Sequence, residues 1–300
     1  MKSSLDHLPE KKQRELARVV EIIHEEFENA LKGGEAEFKK KGRIWKVILF
    51  GSYARGTWVD EPHTMKGYRS DYDILIIVNT KKLTDAEYWY AAKDRLMRDR
   101  GIKTLVNPII HSRREVGDAL HRGQHFFSDI RRDGIVIYEV DNQPLPAPRL
   151  LSAEQAGIVA TGHFNARFPL AIGFLEAAKF HIGRGEKNLA AFNLQQAIEA
   201  SYSTFLLVYT NYAPGSHNLI FLRRLSEDFR RELAEVWPQD RQRYVAWFNV
   251  VNEAYVKARY SAHFQITGEA LGWLSERTQH LTELIDRLCR SRLEDLSITS

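Results

Sequence analysis

The chain of 300 residues carries a formal net charge of +4, with 44% apolar and 27% charged residues. These values suit a soluble globular chain long enough for two cores, and the mild basic excess permits a phosphate-bearing substrate without demanding one. The single cysteine, Cys289, excludes an intramolecular disulfide and a cysteine-rich zinc site and favours the reducing cytoplasm. No run of about 18 apolar residues is present, so no membrane partner is expected. Met1-Lys2-Ser3-Ser4-Leu5-Asp6 lacks the apolar stretch of a signal peptide. The basic residues fall in scattered pairs such as Arg113-Arg114 and Arg230-Arg231, which read as solvated helix faces rather than a nucleic-acid stripe.

Leu16, Val19, Val20, Ile23, Phe27 and Leu31 recur at helical spacing and predict an amphipathic helix over residues 9–31, stopped by Gly33-Gly34. A strand follows over 44–50, broken by Gly51-Ser52. Residues 57–69 read as a polar loop, and 72–78 as a second, branched-rich strand. Thr84 with Glu87 predicts a capping box opening a helix that closes near Gly101. A third strand is expected over 104–110, a second capping box at Ser112 and Glu115, a helix stop at Gly123, and a last strand over 134–138. Three prolines in five residues, Pro144 to Pro148, form a stiff connector. The expected domains are therefore 1–140, mixed α/β, and 151–300, all helical, with 141–150 as the linker. The second half predicts five helices: one capped by Ser152 and Gln155 and ending near 183–185, then 188–212, 217–237, 240–263 and 266–293.

The chemistry gathers at Phe50-Gly51-Ser52-Tyr53-Ala54-Arg55-Gly56 and Ser70-Asp71-Tyr72-Asp73. A glycine lets the chain leave the strand sharply and approach a ligand, and the free amides of a following helix attract phosphate. The Ser52 hydroxyl can add a hydrogen bond. Asp71 and Asp73, two apart on a strand, project from one face. Two such carboxylates, completed by substrate phosphates, suit magnesium.

These two motifs resemble those of the DNA polymerase beta-like nucleotidyltransferases, nearest the minimal and kanamycin-type branches, over roughly residues 40–140. The resemblance implies that Gly51 and Ser52, with Arg55 assisting, hold a nucleoside triphosphate, ATP foremost, and that Asp71 and Asp73 bind Mg2+. It implies transfer of a nucleoside monophosphate to a hydroxyl acceptor (small molecule, protein or RNA) and a homodimer whose bundle helices complete the partner's site. The second half resembles a HEPN domain through Gln195-Gln196-Ala197-Ile198-Glu199-Ala200, His217-Asn218-Leu219 and Glu253-Ala254-Tyr255-Val256-Lys257-Ala258-Arg259-Tyr260. The overall fold class is α+β: a mixed-sheet nucleotidyltransferase domain followed by a helical bundle.

The chain departs from the family pattern in two places. Eighteen residues separate Ser52 from Asp71, so 57–69 reads as an insertion, either a plain surface loop or a lid. Full catalysts of the family carry a third carboxylate on a later strand, where this chain offers Asn107, with Asp129 and Glu139 as possible substitutes. By resemblance, Glu199 is the candidate general base. Arg259 and His263, at i and i+4, would share a helix face and resemble the ribonuclease pair of HEPN domains with a shorter spacing. His217 is read as a helix cap or a ligand contact, with the cap favoured. His121 and His125 show no third zinc ligand, and Trp58, Trp89, Trp237, Trp247 and Trp273 are read as packing groups. Two other functions stay open: a regulator that binds nucleotide without turnover, and a fused unit in which the bundle cleaves RNA and the first domain restrains it.

Overall fold

Every residue of strand β1 (Ile44–Phe50) is buried, which is why it reads as a nearly unbroken apolar run rather than an alternating one. In a computed structural model, which describes residues 1, 3–59 and 70–298, β1 belongs to a four-stranded sheet ordered β3-β2-β1-β4. β2 (Tyr72–Val78) and β4 (Ile135–Glu139) flank β1 antiparallel, and β3 (Val106–Ser112) runs parallel to β2. Pro108 is tolerated in β3 because this is an edge strand, where a missing amide donor costs no ladder bond.

One face of the sheet is covered by helix α1 (Glu10–Leu31). Its Leu16, Val19, Ile22, Ile23 and Phe27 join Val47, Leu49, Ile74 and Ile76 in one core. Each such side chain contributes about 1.5–3 kcal/mol by burial, so packing rather than helix propensity holds α1 in place. A short helix α2 (Glu37–Lys40) and a five-residue helix α3 (Gly51–Arg55) flank β1. The crossover from β2 to β3 contains α4 (Tyr90–Arg98). Beyond β3, α5 (Arg113–His121) and α6 (His125–Asp133) cover the opposite face, where the Phe50 and Phe126 rings meet at 5.5 Å.

Two local expectations need correction. Thr84 opens no helix: it closes a 3-10 turn, Lys81–Thr84, and its hydroxyl donates to the Lys81 carbonyl at 2.8 Å. A second 3-10 turn, Ala86–Tyr88, intervenes before α4, which has no side-chain cap. The Ser112–Glu115 capping box is formed in both directions, and β3 runs to Ser112 rather than stopping at Ile110.

The chain divides into two compact units, Met1–Arg149 and Leu150–Ser300, each described by itself. Residues 142–152 contain no helix or strand. The second unit is helical throughout. It comprises α7 (Ala153–Gly183), α8 (Lys187–Thr210), α9 (Leu219–Glu227), α10 (Gln242–Tyr260) and α11 (Gly268–Ile298). Ser152 and Gln155 form the capping box of α7. α8 is the central helix and packs on the other four. The helix expected over 217–237 breaks into α9 and a 3-10 segment, Arg231–Val236. Trp237, almost wholly buried, donates its indole N–H to the Tyr202 hydroxyl at 2.8 Å. No described helix is long and apolar enough to cross a membrane.

Two measurements probe these cores. Burial pushes the Cys289 thiol up to about 12, so it carries almost no thiolate near neutrality. A thiol reagent should therefore label it only as fast as the bundle unfolds, and prompt labelling of the native protein would contradict this packing. His111 of β3 is held below its ordinary value of 6.5 by burial, against a smaller opposing effect of Glu115. The native state thus binds fewer protons than the unfolded chain. Its contribution to stability is complete above pH 6.5 and is lost as pH falls from there toward the folded value. His111→Asn should flatten the melting-temperature profile over that acid limb.

Candidate active site

The turn that follows β1 is forced by glycine. Gly51 has φ +73°, a left-handed conformation that side chains disfavour, and a Cβ there would overlap the Asp73 carboxylate. The turn and the acidic strand are therefore in direct apposition. α3 ends at Gly56, φ +78°, and both the Gly56 and Thr57 amides donate to the Ser52 carbonyl. The first amides of any helix have no acceptor within it, which leaves those after Gly51 able to serve a phosphate. With barely more than one turn, α3 supplies little macrodipole, and Ser52 in it is half-buried. Arg55 lies exposed in the same short helix.

The strands align the acidic residues with this turn. Asp73 is opposite Phe50 on β1 and opposite Asn107 on β3. Asp71, just ahead of β2, is 7% exposed, and its Oδ2 accepts from Asn107 Nδ2 at 3.0 Å. The position expected to hold a third carboxylate is thus filled by an amide that donates a hydrogen bond to one of the other two. Neither suggested substitute completes the set. Glu139 is opposite Lys46, towards the other end of β1, and pairs with that buried ammonium. Asp129 pairs with Arg132 on its own helix at 2.9 Å, and burial raises its pKa. Among the described residues no group of three or more His, Cys, Asp or Glu could hold a metal ion.

Of the expected insertion, residues 60–69 lie outside the described residues. Its ends are pinned: Ser70 donates its amide to the Val59 carbonyl at 2.8 Å, and the Val59 amide donates to Ser70 Oγ at 2.9 Å. Trp58 stacks on Tyr53 at 5.6 Å.

In the helical unit, the three stretches that resemble HEPN domains meet in one polar cluster. Glu199 on α8 accepts from Gln195 Nε2 at 3.0 Å and lies 3.0 Å from His217 Nδ1. Gln195 is wholly buried, whereas His217 is half exposed. The His217 ring stacks on Tyr255 at 3.5 Å, and the Arg259 guanidinium lies 4.4 Å from the centre of the same phenol ring. Two expectations fail here. His217 is not the cap of α9; Asn218 is, accepting from the Ile220 and Phe221 amides. Arg259 and His263 share no helix face, because α10 ends at Tyr260 and His263 lies in the turn beyond. The role of His217 was hidden because the helical periodicity of α8 and α9 does not show how the two helices face each other.

Known proteins match stretches in both units of the chain. The nucleotidyltransferase domain family matches residues 31–126, and the HEPN domain family matches residues 167–291. A Methanocaldococcus jannaschii protein named "Putative protein adenylyltransferase" is 34% identical over 113 residues, which are 38% of this chain and 92% of that protein. The fold and these matches thus define an enzyme of nucleotidyltransferase type. The chain belongs to the nucleotidyltransferase family and joins that domain to a HEPN domain.

Proposed function

We propose that unit 1 transfers a nucleoside monophosphate from a nucleoside triphosphate, ATP foremost, to a hydroxyl acceptor, with magnesium held by Asp71 and Asp73. The observation that supports this is the apposition of the Gly51 turn to Asp73, so that amides able to donate to a phosphate would lie beside an acidic strand. Two carboxylates with further positions left to phosphate oxygens and water suit magnesium better than an all-protein cage would. When bound, the ion would neutralise phosphate charge and stabilise the displacement electrostatically. Ser52 and the amides after Gly51 hold the phosphates, and Arg55 offers a further positive charge. The acceptor oxygen bonds to the α-phosphorus, the bond to the bridging oxygen breaks, and pyrophosphate departs. By resemblance to the kanamycin-type enzymes, Glu199 stays our candidate general base; its neighbour within unit 2 is His217, with Nδ1 3.0 Å away. The name of the archaeal relative favours a protein hydroxyl as acceptor.

We further propose a homodimer in a cytoplasmic setting. Ile158, Leu170, Ile172 and Phe180 of α7 are 38–67% exposed, apolar groups that a second copy would cover. Incubation with triphosphate labelled at the α-phosphorus, magnesium and candidate acceptors should give a labelled acceptor and stoichiometric pyrophosphate. Binding without pyrophosphate would remove the transferase reading.

A second reading concerns the bundle. The Glu199–His217 pair beside Tyr255 and Arg259 has the parts for metal-independent RNA cleavage: a base for a ribose hydroxyl and a cation for phosphate. Any such cleavage should be lost in His217→Ala and kept in His263→Ala; the reverse would restore the Arg259–His263 pair.

A further inference from the structure

Lys12 and Glu15 lie one turn apart on α1, a helix that ends where the nucleotidyltransferase match begins. Glu15 is 3% exposed. Its Oε2 accepts from the Thr104 hydroxyl at 2.9 Å and from the Tyr72 hydroxyl at 3.4 Å, while its Oε1 is buried without a hydrogen-bond partner. Lys12 Nζ donates to Thr104 Oγ1 at 2.7 Å and lies 3.9 Å from Glu15 Oε2. The same ammonium is 5.5 Å from the Tyr53 ring centre and 5.7 Å from that of Tyr72. The two rings are 4.6 Å apart.

Each group touched belongs to a different segment of the site. Tyr53 follows Ser52 in the phosphate turn, and Tyr72 stands between Asp71 and Asp73. Thr104 lies three residues ahead of Asn107, and the neighbouring Leu105 carbonyl accepts the Tyr72 amide at 2.8 Å. A buried ion pair is a poor way to gain stability, because desolvation offsets its attraction and an apolar pair would pack as well. It does fix geometry, since hydrogen bonds are directional where apolar contacts are not.

We infer that the Lys12–Glu15 pair is a positioning hub that holds the phosphate turn, the acidic strand and the Asn107 strand in one register, so that divalent-ion binding and turnover depend on it. This rests on the reading of unit 1 as a magnesium-dependent transferase. It adds to that domain two positioning residues from a helix outside the matched region.

The test uses the full chain with Lys12→Met and Glu15→Met together, which removes both charges at similar volume. Melting temperature, Mn2+ affinity by electron paramagnetic resonance with a non-hydrolysable triphosphate analogue, and kcat with magnesium are read in parallel. The melting temperature should stay within about 4 °C of the parent. Mn2+ affinity should weaken about tenfold and kcat should fall about ten- to a hundredfold, the scale of a small misplacement of reacting groups. Lys12→Arg should recover part of both. Tyr72→Phe, which loses only the hydroxyl contact, should shift both in the same direction by less, and serves if the double variant does not fold. Unchanged Mn2+ affinity in the double variant, or in Tyr72→Phe where that variant stands in, would overturn the hub alone, even with a lower kcat. A parent protein that neither binds the Mn2+–triphosphate pair nor releases pyrophosphate would overturn the transferase reading and the hub with it.

Discussion

Asp71→Asn together with Asp73→Asn is expected to lower pyrophosphate release at least about a thousandfold, while leaving the fold intact. Metal-ion stabilisation of transferring phosphate amounts to several kcal/mol, and each 1.36 kcal/mol is a factor of ten in rate. The substitutions keep size and shape. The hydrogen bond from Asn107 Nδ2 to residue 71 survives, because an asparagine carbonyl accepts as the carboxylate did. The melting temperature in chelator should therefore stay level. Loss of activity with collapse of the melting temperature would show that these carboxylates are structural instead. The pattern expected here, chemistry lost and stability kept, is the usual mark of a site that trades stability for function.

Gly51→Ala carries the second large effect, and Gly56→Ala supplies its control. Both glycines have positive φ, +73° and +78°, so both substitutions incur a backbone cost of about 1–2 kcal/mol. They differ in what the new methyl meets. At Gly51 it would overlap Asp73 Oδ2, whereas at Gly56 its nearest neighbour is His7 Cδ2 at 3.8 Å. The two variants should therefore lose similar stability at first order, with Gly51→Ala losing more through the overlap. Only Gly51→Ala should also lose catalysis, by about a hundredfold, because the carboxylate must move to make room. Equal kcat losses would mean that strain in the turn, rather than its closeness to Asp73, limits the site.

Much of the fold was legible because its signals are local. β1 and β2 stand at the residues their apolar runs predicted, Ile44–Phe50 and Tyr72–Val78. The Ser112 and Ser152 capping boxes need only residues three apart. The same pattern at Thr84 misled, since a 3-10 turn used its hydroxyl first and the helix began later. The candidate site was half legible. Gly51, Ser52, Asp71 and Asp73 announced themselves through short motifs, and the register of β3 against β2 brings Asn107 level with Asp73. Lys12, Glu15 and Thr104 gave no signal, because Lys12 and Glu15 meet Thr104 across 92 and 89 positions of sequence. His217 also stayed hidden: its motif marked a helix start, and only the packing of α8 against α9 brings it to Glu199.

The most direct test is a crystal of the protein with Mn2+ and a non-hydrolysable ATP analogue, read by anomalous scattering. The account predicts a manganese peak within coordination distance, about 2.0–2.3 Å, of carboxylate oxygens of both Asp71 and Asp73, with triphosphate oxygens on the Ser52 turn. A nucleotide bound elsewhere, or a metal that leaves either aspartate uncoordinated, would contradict it.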